Sequence, residues 1–189
     1  MTKLLLLDHH GASVSTLIHQ LEDAGAEISI IEPAGIGSSS TMAIDGVVAS
    51  GGHLDFSDYR VVLPSYSRFI RGLEVPYLGV CLGLRILGHC YGARMRKFPA
   101  VTGLRDLHFL REFPLASGVR DCTVYQSHKY GLIDPLPPQL EGYATDEGAV
   151  QAVRVAGFHR YGVQFHPELS PEPALGILKN FVALCSEGS

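Results

Sequence analysis

The chain has 189 residues, 46% of them hydrophobic and 21 of them glycine, and its 15 Lys plus Arg against 19 Asp plus Glu leave a net charge of -4. That length fits one domain over residues 1–189, and the composition excludes a disordered or fibrous chain. The acidic balance lacks the basic excess that a nucleic-acid backbone requires, so no nucleic-acid partner is expected.

The chain opens with an apolar run, Leu4 to Leu7, that stops at Asp8-His9-His10. The run is too short for a signal sequence or a membrane span, so the expectation is a cytoplasmic protein with no membrane partner. It reads as a strand over residues 3–8, followed by an amphipathic helix over 13–24 with Val14, Leu17, Ile18 and Leu21 on one stripe. Gly25 ends the helix, and a β-branched strand over 27–31 completes a βαβ unit, which calls for a parallel sheet. A Gly/Ser-rich surface loop is predicted over 33–41, then a buried strand over 46–49 that ends in Ser50-Gly51-Gly52. In open α/β sheets the loops at that strand edge face a common crevice. Pro64 argues against a continuous helix over 59–73. A strand over 75–80 runs straight into a helix beginning at Cys81. Short strands follow at 122–125, 141–145, 149–155 and 161–165, some of them antiparallel, with a Pro-rich loop at 134–138. A helix over 171–185 closes the chain. The predicted fold class is α/β, an open mixed, mostly parallel sheet flanked by helices.

Cys81, Cys90, Cys122 and Cys185 form no C-x-x-C pair, so no zinc site or redox dithiol is expected and each is a single thiol. Cys90, Cys122 and Cys185 fall on apolar stripes or a strand start and read as structural. Cys81 stands between strand and helix, flanked by Gly79 and Gly83. A sharp strand-to-helix turn would push its thiol out of the sheet, the helix N-terminus would lower its pKa, and the Leu82 N–H would point at an oxyanion. A buried structural cysteine carries the same pattern, so the thiol needs a base. His166, in Phe165-His166-Pro167-Glu168, is the candidate. The proline fixes the spacing at which Glu168 could hold one imidazole nitrogen while the other faces a thiol, although a surface turn has the same spelling. His9 and His10, with no carboxylate or Cys cluster near them, read as facing solvent or a partner rather than a metal. Ser50-Gly-Gly-His-Leu-Asp55 partly matches an ATP-pyrophosphatase loop, but Phe56 replaces its final serine.

Taken together, Gly79-Val-Cys81-Leu-Gly83 and Phe165-His166-Pro167-Glu168, in this order and separation, resemble the class I glutamine amidotransferases over essentially the whole chain. The resemblance implies a flavodoxin-like fold and a Cys81, His166 and Glu168 triad that hydrolyses L-glutamine through a thioester. It further implies oxyanion donors at Gly52 and Leu82 and substrate contacts at Arg85, Gln126, Ser127 and His128. Within the family, Ser127-His128-Lys129 is most similar to the segment found in the glutaminase subunit of GMP synthase. That likeness implies, as partner, a separate ATP-dependent synthase subunit, with ATP and Mg on the partner and no cofactor or metal in this chain.

Three positions depart from the family pattern. Arg85 replaces the usual glutamine of G-x-C-x-G-x-Q, one helical turn from Cys81, where a guanidinium would meet a substrate carboxylate or turn away into a salt bridge. His53 replaces a proline after Ser-Gly-Gly, and Tyr130 stands where the GMP synthase type carries aspartate. Two other functions therefore stay open: a stand-alone hydrolase of another γ-glutamyl amide, and a binding or regulatory module of the same fold.

Overall fold

The computed structural model describes residues 1–36, 43–53 and 56–187, the first turns of the helix from Phe56 in backbone only. Strand β1 (Thr2–Leu7) leads through helix α1 (Val14–Asp23) to β2 (Ala26–Ile31), as the apolar spacing predicts. Gly25, at φ 98°, turns the chain back after the helix. Strand β3 (Gly46–Ala49) follows, then α2 (Phe56–Gly72), β4 (Tyr77–Val80) and α3 (Leu82–Cys90). Two long strands, β5 (Arg94–His108) and β6 (Asp121–Ile133), precede β7 (Leu140–Asp146), β8 (Ala149–Val155), β9 (Arg160–Val163) and the closing helix α4 (Gly176–Glu187).

Among the described residues, one seven-stranded sheet has the order β2-β1-β3-β4-β9-β8-β7, and β5 pairs with β6 in a separate ribbon. The first five strands in that order are parallel, while β8 pairs antiparallel with both β9 and β7. β1 is central, with Leu5 opposite both Ser29 and Val47. Its leucines alternate between two cores. Leu4 and Leu6 pack with Leu17, Leu21, Ile177 and Phe181 on the α1/α4 face, and Leu5 and Leu7 pack with Tyr66, Ile70, Leu84 and Leu87 on the α2/α3 face. A strand sealed on both faces must be apolar at every position, and each such leucine contributes about 1.5–3 kcal/mol.

The sheet matches the predicted class, with four corrections. Pro64 lies inside α2 without ending it. An interior proline costs about 3 kcal/mol, but Pro64 is on the exposed face while Tyr66 and Ile70 are sealed in the core, and their burial offsets the lost hydrogen bond. The closing helix starts at Gly176, because residues 172–175 form turns. β6 runs well beyond residue 125, and its partner β5 had no predicted counterpart. The predicted loop over 33–41 is a short 3-10 turn at 33–36, and its remainder lies outside the described residues, as does Asp55 of the pyrophosphatase-like segment. No described helix is long and apolar enough to cross a membrane.

Candidate active site

The ends of β1, β3, β4 and β9 share one edge of the sheet, and the candidate residues gather there. Cys81 sits at the N-cap of α3 with φ 50° and ψ -94°, the strained conformation that a strand-to-helix elbow demands. Its N–H donates to the Val163 carbonyl at 2.7 Å, anchoring the elbow to β9. Gly79 and Gly83 make the turn possible: a Cβ on Gly79 would collide with the Gly83 backbone, and one on Gly83 with the Ala49 carbonyl. Leu82 opens α3, so its N–H belongs to the first turn, where amides have no intrahelical acceptor.

His166 and Glu168 arrive from the segment after β9, separated by Pro167 as the sequence suggests. Backbone bonding fixes the segment: the His166 N–H donates to the Tyr125 carbonyl at 2.8 Å, and the Ser170 hydroxyl donates to the His166 carbonyl at 2.6 Å. His166 Nδ1 lies 2.7 Å from Glu168 Oε1, so Nδ1 carries the proton and Nε2 is left for the sulfur. The Ser13 hydroxyl donates to the same Glu168 oxygen at 2.7 Å. On the other side of the sulfur, the Gln164 amide Nε2 donates to Cys81 Sγ at 3.4 Å. Burial pushes the Cys81 thiol up, but the hydrogen bond with His166 and the positive charges of His166 and Arg85 outweigh it, and the net shift is downward. Burial pushes His166 down, but its hydrogen bonds to Cys81 and Glu168 raise it to about 10. Both shifts favour the thiolate–imidazolium form of the pair.

Ser50-Gly51-Gly52 lies beside this pair, with Gly51 packed against the His166 ring and the Cys81 Cβ. Behind the loop is His9, which is buried rather than facing solvent or a partner as its sequence context suggests. Its Nδ1 lies 2.8 Å from the Ser50 carbonyl, which can only accept, so Nδ1–H donates and Nε2 accepts from the Tyr66 hydroxyl at 2.5 Å. The His9 N–H donates to Ser50 Oγ at 2.9 Å, and Ser50 Oγ donates to the Gly51 carbonyl at 2.9 Å. Desolvation by burial takes the His9 imidazole down to about 4, which keeps this tautomer neutral. His10 is exposed, as expected, and bridges to Gly52.

Two adjoining cavities open at this edge. The smaller, of about 150 Å³, holds Cys81 and His166, while the larger, of about 410 Å³, is walled by Arg85, His128 and Lys129. Gly52, His53 and Ser127 line both, and the Ser127 carbonyl lies 3.8 Å from Cys81 Sγ. Arg85 forms no salt bridge among the described residues. Gln126 is set behind the wall instead of in it: its Nε2 donates to Asp146 at 2.8 Å and its Oε1 accepts from His128 Nε2 at 2.9 Å. The structure thus brings together Cys81, His166 and Glu168, sets Gly52, Leu82 and Ser127 around them, and puts Arg85 and His128 in the next chamber. Sequence reasoning missed Ser13, Gln164 and His9. Gln164 alone left a signal, since two residues before His166 in an extended segment is the same face.

The wider relationships of the chain agree with this geometry. Residues 5–185 match the family described as glutamine amidotransferase class-I. The chain is 29% identical to the glutamine-hydrolysing GMP synthase subunit of Pyrococcus abyssi, covering 97% of this chain and 99% of that one. It is 30% identical to anthranilate synthase component 2 of Archaeoglobus fulgidus, over 86% of this chain and 87% of that one. A Thermoplasma acidophilum crystal structure, provisionally assigned to the same type of GMP synthase subunit, superposes with a TM-score of 0.89 at 25% identity, over 100% of this chain and 96% of that one. With the family match spanning nearly every residue and the elbow cysteine facing a Glu-held histidine, the chain belongs to the class I glutamine amidotransferases.

Proposed function

We propose that this chain hydrolyses L-glutamine to glutamate and ammonia and passes the ammonia to a separate ATP-dependent synthase subunit of the GMP synthase type. The observation that carries the reading is the run Cys81, His166, Glu168, in which a strained elbow sulfur meets an imidazole whose far nitrogen is 2.7 Å from a buried carboxylate.

In this reading the Cys81 thiolate attacks the carboxamide carbon, and the carbonyl electrons move onto oxygen. The N–H groups of Leu82 and Gly52 receive that oxyanion, each worth about 2.7–4 kcal/mol of transition-state stabilisation. His166, holding its Nδ1 proton on Glu168, gives its Nε2 proton to the departing nitrogen, which leaves as ammonia while the C–S bond of the thioester remains. His166, now neutral, takes a proton from water as the water attacks the thioester, and glutamate leaves as the thiol is regenerated. Thiolate and imidazolium supply the electrons and protons, so the hydrolysis draws on no cofactor or metal in this chain, and ATP and Mg belong to the partner. Residues 1–189 act as one domain, a reading supported by β9, late in the chain, pairing with β4. The setting is the cytoplasm, where the thiols stay reduced.

The GMP synthase subtype rests on relatives matched over nearly their full length, among them the glutamine-hydrolysing GMP synthase subunits of Pyrococcus abyssi and Saccharolobus solfataricus. The test is glutamate and ammonia release from L-glutamine by the purified chain, alone and together with an ATP-dependent GMP synthase subunit. Release by the wild type and none by Cys81→Ala supports the reading. Equal release by both, or none by either with the synthase present, overturns it.

A further inference from the structure

Arg85 is only 5% exposed, its Nε has no hydrogen-bond partner, and no described carboxylate pairs with it. An unpaired buried cation is costly, by several kcal/mol in proteins generally, unless an anion meets it at some point in the working cycle. The chamber it lines, about 410 Å³, opens past Gly52 and Ser127 into the Cys81 pocket, and Lys129 adds a second cation to its wall. Among the described residues no Asp or Glu lines either cavity.

The direction of the acyl chain follows from the hydrolase reading on which this inference rests. With the departing nitrogen on His166 and the oxyanion on Gly52 and Leu82, the space left for the remaining substituent of the attacked carbon is the opening past Gly52 and Ser127 into the chamber that Arg85 lines. A γ-glutamyl chain thus delivers its far carboxylate to the guanidinium. The same chamber treats an ammonium differently. Among its buried side-chain atoms without a partner, the one that could accept from an ammonium is His128 Nδ1, since Nε2 is committed to Gln126 Oε1. Burial, then the charges of Arg85 and His166, take His128 down to about 4, so it stays neutral and, with no Asp or Glu in the described lining, the chamber offers an ammonium no counter-charge.

We propose that Arg85 makes the site selective for the carboxylate of the acyl donor and indifferent to its α-ammonium. The substrate class is then the half-amides of glutaric acid, with L-glutamine as one member and its deaminated or N-acylated analogues as others. Specificity is read as one buried charge pair rather than as an amino-acid head group.

Chloromethyl ketones test this without requiring turnover, since Cys81 Sγ displaces chloride and the adduct is counted by mass. Three probes are compared on the intact chain: the chloromethyl ketone of glutarate, its α-amino counterpart, and the glutarate ketone with its carboxylate capped as a primary amide. Rates are normalised to iodoacetamide, a small neutral reporter of the same thiol. Capping the carboxylate is expected to slow alkylation on the order of thirtyfold or more, and adding the α-amine to change it by less than about threefold. Arg85→Gln should erase the carboxylate preference, and Arg85→Lys should keep part of it. A capped probe that reacts as fast as the glutarate ketone, or an α-amine that speeds or slows the wild type by more than about threefold, overturns the proposal. The wild-type series decides it even if the buried Arg85 variants fold poorly. Carboxylate selectivity without glutamine turnover would remove the hydrolase reading and leave the subsite standing, so the two failures are distinct.

Discussion

The parallel half of the sheet and the β5-β6 ribbon are built on opposite terms. β1, β3 and β4 are sealed on both faces, whereas most of β5 is exposed and only Phe98 and Leu107 along it are buried. Cys81, the proposed nucleophile, and Arg85 stand at the edge of the first, and the facing wall of the Arg85 chamber on the second, through Ser127 and His128 of β6. A rigid sheet edge holds the sulfur, and a half-solvated ribbon shapes what approaches it. The proposed nucleophile and the Arg85 charge are thereby both fixed by packing, while the rest of the chamber wall lies on an element whose sequence is freer to change.

The contrast can be broken most severely at the sulfur. Cys81→Ala should reduce turnover by more than about four orders of magnitude while lowering the unfolding free energy in urea by no more than about 1 kcal/mol, because a single buried sulfur is all that is lost. Next comes the elbow beneath it. Gly83→Val must push into the Ala49 carbonyl, and a loss of about 3 kcal/mol or more in chemical denaturation is expected; an unchanged midpoint would mean the close approach carries no weight.

His9 tests whether the loop next to the sulfur needs its strut. His9→Ala leaves the buried Ser50 carbonyl and Tyr66 hydroxyl without partners and should lower kcat by about tenfold to a hundredfold with little change in KM. His9→Asn, whose amide can replace the Nδ1–H donor, should recover part of that loss.

Elements sealed on both faces were the ones legible in the sequence. The leucines of β1, the stripe of α1 and the Gly-x-Cys-x-Gly turn are each dictated by burial, so composition and period reveal them. β5 spells no period because it buries almost nothing, and Pro64 misled because core contacts by Tyr66 and Ile70 outweigh a local preference. In the site, the two motifs carried the triad, and the helical step from Cys81 carried Arg85. His9 and Ser13 reach their partners, Ser50 and Glu168, across 41 and 155 residues of sequence, a distance no local pattern encodes. Gln126 was misplaced for a related reason: its hydrogen bond to Asp146 belongs to a neighbouring strand.

Thiol reactivity gives a finer contrast within the chain. The Cys81 thiol is shifted down while His166 keeps its proton up to about 10, so the thiolate extends to lower pH than at an ordinary cysteine. Desolvation pushes Cys90 and Cys185 to about 12 and Cys122 to about 11, so these stay protonated. Iodoacetamide at neutral pH should therefore label Cys81 first, and its rate should fall off at a lower pH than that of an ordinary thiol; His166→Ala should move that fall toward the ordinary thiol range. The smallest effect belongs to the ribbon. Arg105→Ala, on exposed β5, should shift stability by no more than about 0.5 kcal/mol.

The central claim, that Cys81 carries a γ-glutamyl thioester, is tested most directly by adding hydroxylamine to the glutamine assay, with the synthase subunit present. Hydroxylamine intercepts the thioester, so γ-glutamyl hydroxamate should rise with its concentration as glutamate falls, and none should form with Cys81→Ser. Glutamate release without hydroxamate, or hydroxamate formed equally by Cys81→Ser, would contradict the account.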